Sequence, residues 1–407
     1  STADPSGNEL DRAFNVNLDY LVNESKPWTI YFQVANNGTK STDEWRERFG
    51  FLHNNLTGND DIFLIDYSTA GFSESHNIST SYEFRLGEPL RAKVYGSWNE
   101  YTASDVGFNF SNFTGDGYTV GAELIWNVFQ RREWYIDLVG GVRYDNTKVS
   151  QEIIPGNTVV GDANFLLPYG GFRAGKEGDA YNLGAHLTVE GTAFSSKQRE
   201  IDRLGRFDAD RSFVTVKGGL EASFYLEPLF DNSKATTLAH ELYFGVRGQT
   251  ASGSRVVPIY QSVIGGLYTV RGYNESIVSG DDSVVGTADY RLHVPRLFKP
   301  YGAGETIPEI FGDQFRWRPT ESFGRPDWDL VLKAFVDVGE VTTNDKKLFE
   351  RDYTLASVGL GAELQIKRNF AFRADWGVAL RDVNDAGGTE RARSGDNRFH
   401  FVFTVSY

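Results

Sequence analysis

The side chains with the most chemistry to offer are an arginine and an aspartate set far apart in the chain. Tyr268-Thr-Val-Arg-Gly-Tyr273 places Arg271 and Gly272 in the longest polar connection, 250–283. Phe335-Val-Asp-Val-Gly339 places Asp337 in an alternating run. There Leu330, Leu332, Ala334 and Val336 form one apolar face, so Lys333, Phe335 and Asp337 point the other way. A guanidinium and a carboxylate can share two parallel charge-assisted hydrogen bonds. Such a contact can pin a loop and still release it. Gly272 lets backbone approach closely or take a positive φ. An isolated Arg-Gly-Tyr would also suit an ordinary surface turn.

Other chemistries are poorly served. The chain has no Gly-x-Ser-x-Gly, no His-Glu-x-x-His and no phosphate loop. Its six histidines show no metal-ligand spacing, and without cysteine there is no disulfide, zinc ribbon or thiol nucleophile. His186 and His400 read as polar residues of an inner wall or girdle. Asp60-Asp61 and Asp281-Asp282 fall in acidic connections. The net charge of −14 argues against nucleic acid, whose phosphates need a basic face. No enzyme, metal or cofactor is expected.

The elements that must position Arg271 and Asp337 are strands. Period-2 alternation recurs along the chain. In 27–36, Trp28, Ile30, Phe32 and Val34 share a face. In 117–128, Tyr118, Val120, Ala122, Leu124 and Trp126 oppose Thr119, Gly121, Glu123 and Asn127. In 237–249, Leu238, Leu242, Phe244 and Val246 oppose Glu241, Gly245 and Arg247, with His240 an exception on the apolar side. In 397–407, Phe399, Phe401, Phe403, Val405 and Tyr407 oppose Arg398, His400, Thr404 and Ser406. About sixteen such strands can be laid down, each long enough to cross a bilayer when tilted. No apolar run approaches the ~20 residues of a membrane helix, and mean hydropathy is negative. A β-barrel escapes that test because only alternate residues face lipid.

The connections alternate too. Gly87-Glu-Pro89, Phe129-Gln-Arg-Arg132 and Lys367-Arg-Asn369 are short; 100–116, 146–159, 194–210, 250–283 and 382–396 are long and polar. That asymmetry belongs to outer-membrane barrels, and an even strand count puts the C-terminus on the short-turn, periplasmic side. One connection breaks the pattern: 297–327, with Phe311, Trp317 and Phe323, is a long insert on the short-turn side. Soluble sandwiches and propellers also alternate. Strand length, the two-sided asymmetry and aromatic strand ends (Trp28, Trp98, Trp126, Trp134, Trp328, Tyr407) favour a membrane barrel.

Residues 1–26 stand apart from the barrel, 27–407. Asn15 to Val22 alternates, and the segment reads as the remnant of a preceding domain and linker, too short to fold alone.

These motifs together resemble the outer-membrane polypeptide-transport superfamily, which holds the two-partner secretion transporters and the β-barrel assembly insertases. Asn36-Asn-Gly-Thr-Lys-Ser-Thr42 and then His53 to Asp60, with its Asn-Leu-x-Gly-x-Asp turn, are similar to the opening of two-partner secretion barrels. Gly286 to Leu292 resembles the strand after the family's long loop, where Asp289 matches an acidic position. The resemblance spans nearly everything from residue 27 onward. The length of the insert 297–327 departs from it, as does the absence of the periplasmic domains.

The resemblance implies an all-β, transmembrane antiparallel barrel with loop 250–283 folded into the lumen. It implies that Arg271, with Gly272 and Tyr273 beside it, latches onto Asp337 within Phe335-x-Asp-x-Gly339. It implies that residues 1–26 end a periplasmic polypeptide-transport-associated domain. The function implied is secretion of a partner protein; insertion of barrel proteins, or a passive porin, are the alternatives. An adhesin-like barrel, acting only through its outer loops, is a further one. The partners implied are an unfolded polypeptide client, outer-membrane lipid, and periplasmic chaperones or accessory subunits. The first and last strands, 27–36 and 397–407, with Phe399, Phe401, Phe403 and Tyr407, should meet at the closing seam, where an edge could open.

Overall fold

A computed structural model describes residues 26–106, 111–154, 157–230, 238–302, 304–310, 312–320, 326–348 and 350–407. Sixteen antiparallel strands close into one barrel. In chain order they are β1 Trp28–Ala35, β2 Arg46–Asn54, β3 Ile62–Ala70 and β4 Ser75–Gly87. Then come β5 Leu90–Val106, β6 Ser111–Arg131, β7 Trp134–Ile154 and β8 Asn157–Glu177. β9 Tyr181–Gly191, β10 Val214–Tyr225, β11 His240–Thr250 and β12 Asp282–His293 follow. β13 Trp328–Thr342, β14 Tyr353–Ile366, β15 Phe370–Ala379 and β16 Asn397–Ser406 complete the wall. No helix among the described residues is long and apolar enough to cross a membrane.

The alternation decides which face looks out. On β13, Leu332, Val336 and Val338 are exposed while Lys333, Phe335 and Asp337 are buried. On β6, Val120, Leu124 and Trp126 are exposed and Glu123 is buried. On β16, Phe399 is 52% exposed and His400 is fully buried. Apolar outside and polar inside is the inverse of a soluble core, and lipid is the solvent that makes it favourable. Aromatic rings collect at both rims. Trp28 and Tyr407 pair at 5.8 Å at the short-turn end. Tyr118 and Tyr144 pair at 6.1 Å towards the other end, as interfacial girdles do.

Several expectations change at the boundaries. The stretches 100–116 and 146–159, read as loops, are mostly strand. Pairing runs on through Tyr101↔Gly115, Thr147↔Gly117 and Asn146↔Asn164. β6, β7 and β8 reach 21 residues, about twice what a bilayer crossing needs. Polar side chains such as Thr114, Asp116, Asn146, Lys148 and Ser150 interrupt the apolar alternation that marks a strand, while the hydrogen-bond ladder continues. β11 starts at His240, so Leu238 precedes it rather than sharing its outward face, and is buried. His240 does sit on the outward side, bonded to the Tyr290 hydroxyl at 2.6 Å. Phe311, Phe323 and the 15–22 stretch lie outside the described residues.

β1 closes on β16 in register Tyr31↔Ser406 to Ala35↔Val402. Ile30 and Tyr407 exchange backbone bonds at 3.0 and 2.8 Å. β1 ends at Ala35, level with the middle of β16. Phe403 and Tyr407 therefore lie within the paired half, and Phe399 and Phe401 beyond it. There the Asn36 amide substitutes for a strand. It donates to the Phe399 carbonyl and accepts from the Phe401 N–H, both at 2.7 Å.

The Asn-Leu-x-Gly-x-Asp segment forms the β2–β3 turn. Buried Asp61 accepts from the Thr57 N–H at 3.0 Å, and Asn55 accepts from the Asp60 N–H at 2.9 Å. Two side chains thus stand in for missing backbone partners.

Candidate functional site

The connection 251–281 leaves β11 and returns to β12. Its first limb packs Ala251, Val256, Val257 and Tyr260 against Phe165 and Leu167 of the β8 inner face. Ile201, Leu204 and Phe213 of the connection 192–213 complete this apolar cluster. A short antiparallel pair, Ser262–Ile264 with Val278–Gly280, then carries the tip across the lumen.

Arg271 and Asp337 meet there. Arg271 Nε donates to Asp337 Oδ2 at 2.8 Å and Nη2 to Oδ1 at 2.7 Å, the two-pronged geometry of a guanidinium–carboxylate pair. The Arg271 backbone N–H adds a third bond to Oδ2 at 3.0 Å. Nη2 also reaches Asp289 at 2.7 Å and the Thr287 hydroxyl at 3.0 Å. Asp375 on β15 lies 3.7 Å from Nη1. The guanidinium is stacked 3.5 Å from the centre of the Phe335 ring, a favourable cation–π contact. Arg271 and all three carboxylates are buried.

Three carboxylates around one guanidinium would leave excess negative charge. Lys333 bonds Asp375 at 2.8 Å, Arg373 bonds it at 2.7 Å, and Arg291 bonds Asp289 at 3.1 Å. The ion pairs therefore form a neutralised cluster spread over β12, β13 and β15. Burial is tolerable because each charge has a partner.

Glycines make the landing surface. Gly272 adopts φ 94°, a left-handed conformation that a side chain would strain. A Cβ on Gly377 of β15 would lie 2.6 Å from the Gly272 nitrogen, so loop backbone meets wall backbone directly. On Gly339, a Cβ would press on the Val270 side chain at 2.8 Å. Tyr273 is buried beyond this contact. Its hydroxyl donates within 3.0 Å of the Ala356 and Arg381 carbonyls and accepts from the Arg381 N–H at 3.2 Å.

All six latch residues named from sequence thus stand together: Arg271, Gly272 and Tyr273 on the tip, and Phe335, Asp337 and Gly339 on one inner face. The aromatic residues of β16 stand apart, on the outer surface. Sequence reasoning missed Asp375, Arg373 and Gly377, although the same parity argument on 370–379 would have turned them inward, opposite Trp376 and Val378. It also missed a second attachment, where the Tyr260 hydroxyl donates to Asp145 Oδ2 at 2.9 Å. No local pattern links residues so far apart. His186 lines the lumen beside Gly219, and His400 lies 3.5 Å from Glu275 of the tip.

At the long-loop end, Asp281 ties the connections into a cap. It is fully buried and takes Arg206 at 2.5 and 2.8 Å, the Val256 N–H at 3.0 Å and the Asn344 N–H at 2.8 Å. Glu350 bridges Arg206 and Arg255 at 3.3 and 2.5 Å. Burial favours its neutral form, but Arg255, the Lys347 N–H and Arg206 outweigh burial and hold its pKa below the usual carboxylate value.

Fold and site define a class of structure: a sixteen-stranded membrane barrel whose long loop folds inward and is held to the wall by a buried ion cluster. Known proteins narrow it. The family model for haemolysin secretion/activation proteins of the ShlB/FhaC/HecB type matches residues 15–148. The heme/hemopexin transporter protein HuxB of Haemophilus influenzae is 22% identical over 303 residues, covering 71% of this chain and 51% of the relative. The chain thus spans about half the length of the curated relatives it matches. CdiB from Escherichia coli shares the fold with TM-score 0.70 and 13% identity, over 95% of this chain and 64% of that one. BamA from Haemophilus ducreyi, lacking POTRA domains 1–3, aligns with TM-score 0.60 and 12% identity, over 94% and 71%. Together these make the chain similar to the haemolysin secretion/activation proteins over residues 15–148, and to CdiB and BamA in the fold of its barrel.

Proposed function

We propose that this barrel secretes a partner polypeptide across the outer membrane, and that the Arg271 cluster is the latch that must yield for it to pass. The observation that carries the reading is the grip of Arg271 on Asp337 and Asp289, which holds loop tip against wall inside the lumen. A passive pore could constrict its lumen without a buried, reversible ion cluster. An extended client exposes backbone groups that lipid cannot satisfy, and a polar lumen can. The short-turn end, with both ends of the barrel segment, faces the periplasm in this reading. Residues 1–26 close a preceding polypeptide-transport-associated domain that receives the unfolded client from periplasmic chaperones or accessory subunits.

The test uses the full-length transporter with its cognate client. Val34 and Phe403 face each other across the seam, and the chain has no competing cysteine. A disulfide between Val34→Cys and Phe403→Cys should leave secretion intact, because the client travels through the lumen. One between Arg271→Cys and Asp337→Cys should abolish it, and reduction should raise it back only to the level of the unlatched double variant. Secretion that survives the second lock would sink the reading; loss on the first alone would favour lateral insertion.

A further inference from the structure

The connection 294–327 joins β12 to β13 at the short-turn end, where the other described turns are mostly brief. Two fixed points make it an annex rather than a free arm. At its start, Arg296 donates to the Tyr225 hydroxyl at 2.9 Å and the Leu238 carbonyl at 2.8 Å. At its end, Arg316 grips Asp327 through its backbone N–H at 2.7 Å and its guanidinium at 2.6 Å. The Asp327 N–H answers to the Arg316 carbonyl at 2.9 Å.

From this frame an aromatic chain continues the barrel's outer surface. Trp328 shares the outward parity of Leu330 and Leu332, at the foot of β13. Its ring lies 6.4 Å from Phe298 and 5.9 Å from Trp317, and Trp317 lies 4.7 Å from Phe315. The Trp328 indole N–H donates to the Trp317 carbonyl at 3.0 Å. Of these rings Phe315 is buried, while Phe298 and Trp317 are exposed by 41% and 44%, with Leu297 beside them at 49%. Lys299 follows Phe298, and Lys367 and Arg368 stand exposed in the next turn along.

Large rings held rigidly in the open, continuous with a lipid-facing strand and edged by long cations, are what a membrane interface takes up. We propose that the annex lies in the headgroup layer of the leaflet at the short-turn end, with Leu297, Phe298 and Trp317 inserted to the acyl boundary. The partner is a phospholipid surface. Its continuity with the Trp328–Leu330–Leu332 face selects lipid over a protein, which would have to dock against membrane-covered strand. The latch residues Asp337 and Phe335 stand on the same β13, so the annex sets the height of that strand in the bilayer.

Single cysteines at Leu297, Phe298 and Trp317 can each carry a nitroxide label, with Phe399→Cys as a lipid-belt reference and Leu348→Cys, 93% exposed, as an aqueous one. The proteins are placed in nanodiscs of phosphatidylethanolamine and phosphatidylglycerol. Collision rates with oxygen, which concentrates in lipid, and with a soluble nickel chelate are then compared. Leu297→Cys leaves every aromatic ring in place, and heat-modifiable gel mobility checks each barrel for folding. The three labels should fall between the references, near phosphate depth, with oxygen access clearly above that at Leu348. Nickel access equal to that at Leu348 would overturn the proposal in favour of a free periplasmic arm. Low access to both probes would overturn it in favour of a protein-covered surface.

Discussion

The Tyr260 hydroxyl bonds Asp145 of β7 at 2.9 Å, far around the wall from the β13 carboxylate that Arg271 grips. The in-folded loop is therefore held at both limits. Tyr260 and Asp281 fix its root, and the Arg271 cluster fixes its tip. Were the Arg271 cluster to release, the segment 262–280 would be what lies between these two fixed limits. Asp145 keeps the Thr119 hydroxyl at 2.8 Å and Arg143 at 2.9 Å without Tyr260. Tyr260→Phe should thus cost only about 1–2 kcal/mol. Tyr260→Ala, which opens a cavity beside Phe165 and Phe213, should cost about 3–5 kcal/mol. Urea unfolding in lipid vesicles measures both, and equal losses would mean that the ring contributes nothing beyond its hydroxyl.

The latch variants should be unequal. Arg271→Ala leaves Asp337 without its cation and Asp289 with Arg291 alone, whereas Asp337→Ala leaves Arg271 its contacts with Asp289 and Asp375. Arg271→Ala should therefore impair client secretion more and raise single-channel conductance in planar bilayers. The double variant should be no worse than Arg271→Ala, since the two residues act as one interaction. Additive losses would show that they act separately.

Gly377→Ala tests the landing surface without touching a charge. The added methyl would sit 2.6 Å from the Gly272 nitrogen, so the tip must lift from the wall. Conductance should rise towards that of Arg271→Ala with Arg271 and Asp337 both intact. Wild-type conductance would mean that the tip can shift and stay latched.

The lipid face can be probed with one charge. Leu332→Arg or Phe401→Arg should destabilise the barrel by about 2–4 kcal/mol if the position lies near the midplane. Arginine at Leu348, on a distant loop, should change little. Folding titrations in vesicles compare the three, and an unperturbed Leu332→Arg barrel would contradict the assignment of faces.

Acid should loosen the cap. The pKa of Glu350 is lower folded than unfolded, so its stabilising effect is present above the unfolded value and fades as pH falls through the folded one. Hydrogen exchange in 343–352, corrected for intrinsic rate, should rise below about pH 4. Glu350→Gln should exchange faster at neutral pH and lose that acid step. An acid step that persists in Glu350→Gln would assign it to another carboxylate.

The barrel was legible in the sequence because its rule is local. Every second residue meets lipid, so Leu330, Leu332 and Val336 declare their face and thereby turn Asp337 inward. The same parity would have delivered Asp375 and Gly377. Where the pattern is broken by polar residues, as at Thr114, Asp116, Asn146 and Lys148, that contrast vanishes, and only the hydrogen-bond ladder reveals the strands. Pairing across the chain was a different matter. The family resemblance matched Arg271 to Asp337, but composition and spacing say nothing of Asp289 and Asp375 sharing the same guanidinium, or of Tyr260 reaching Asp145. Those contacts depend on strand order and register, which bring β7, β12, β13 and β15 around one lumen. A side chain's direction is set within two residues of itself; its partner is set by how the whole wall closes.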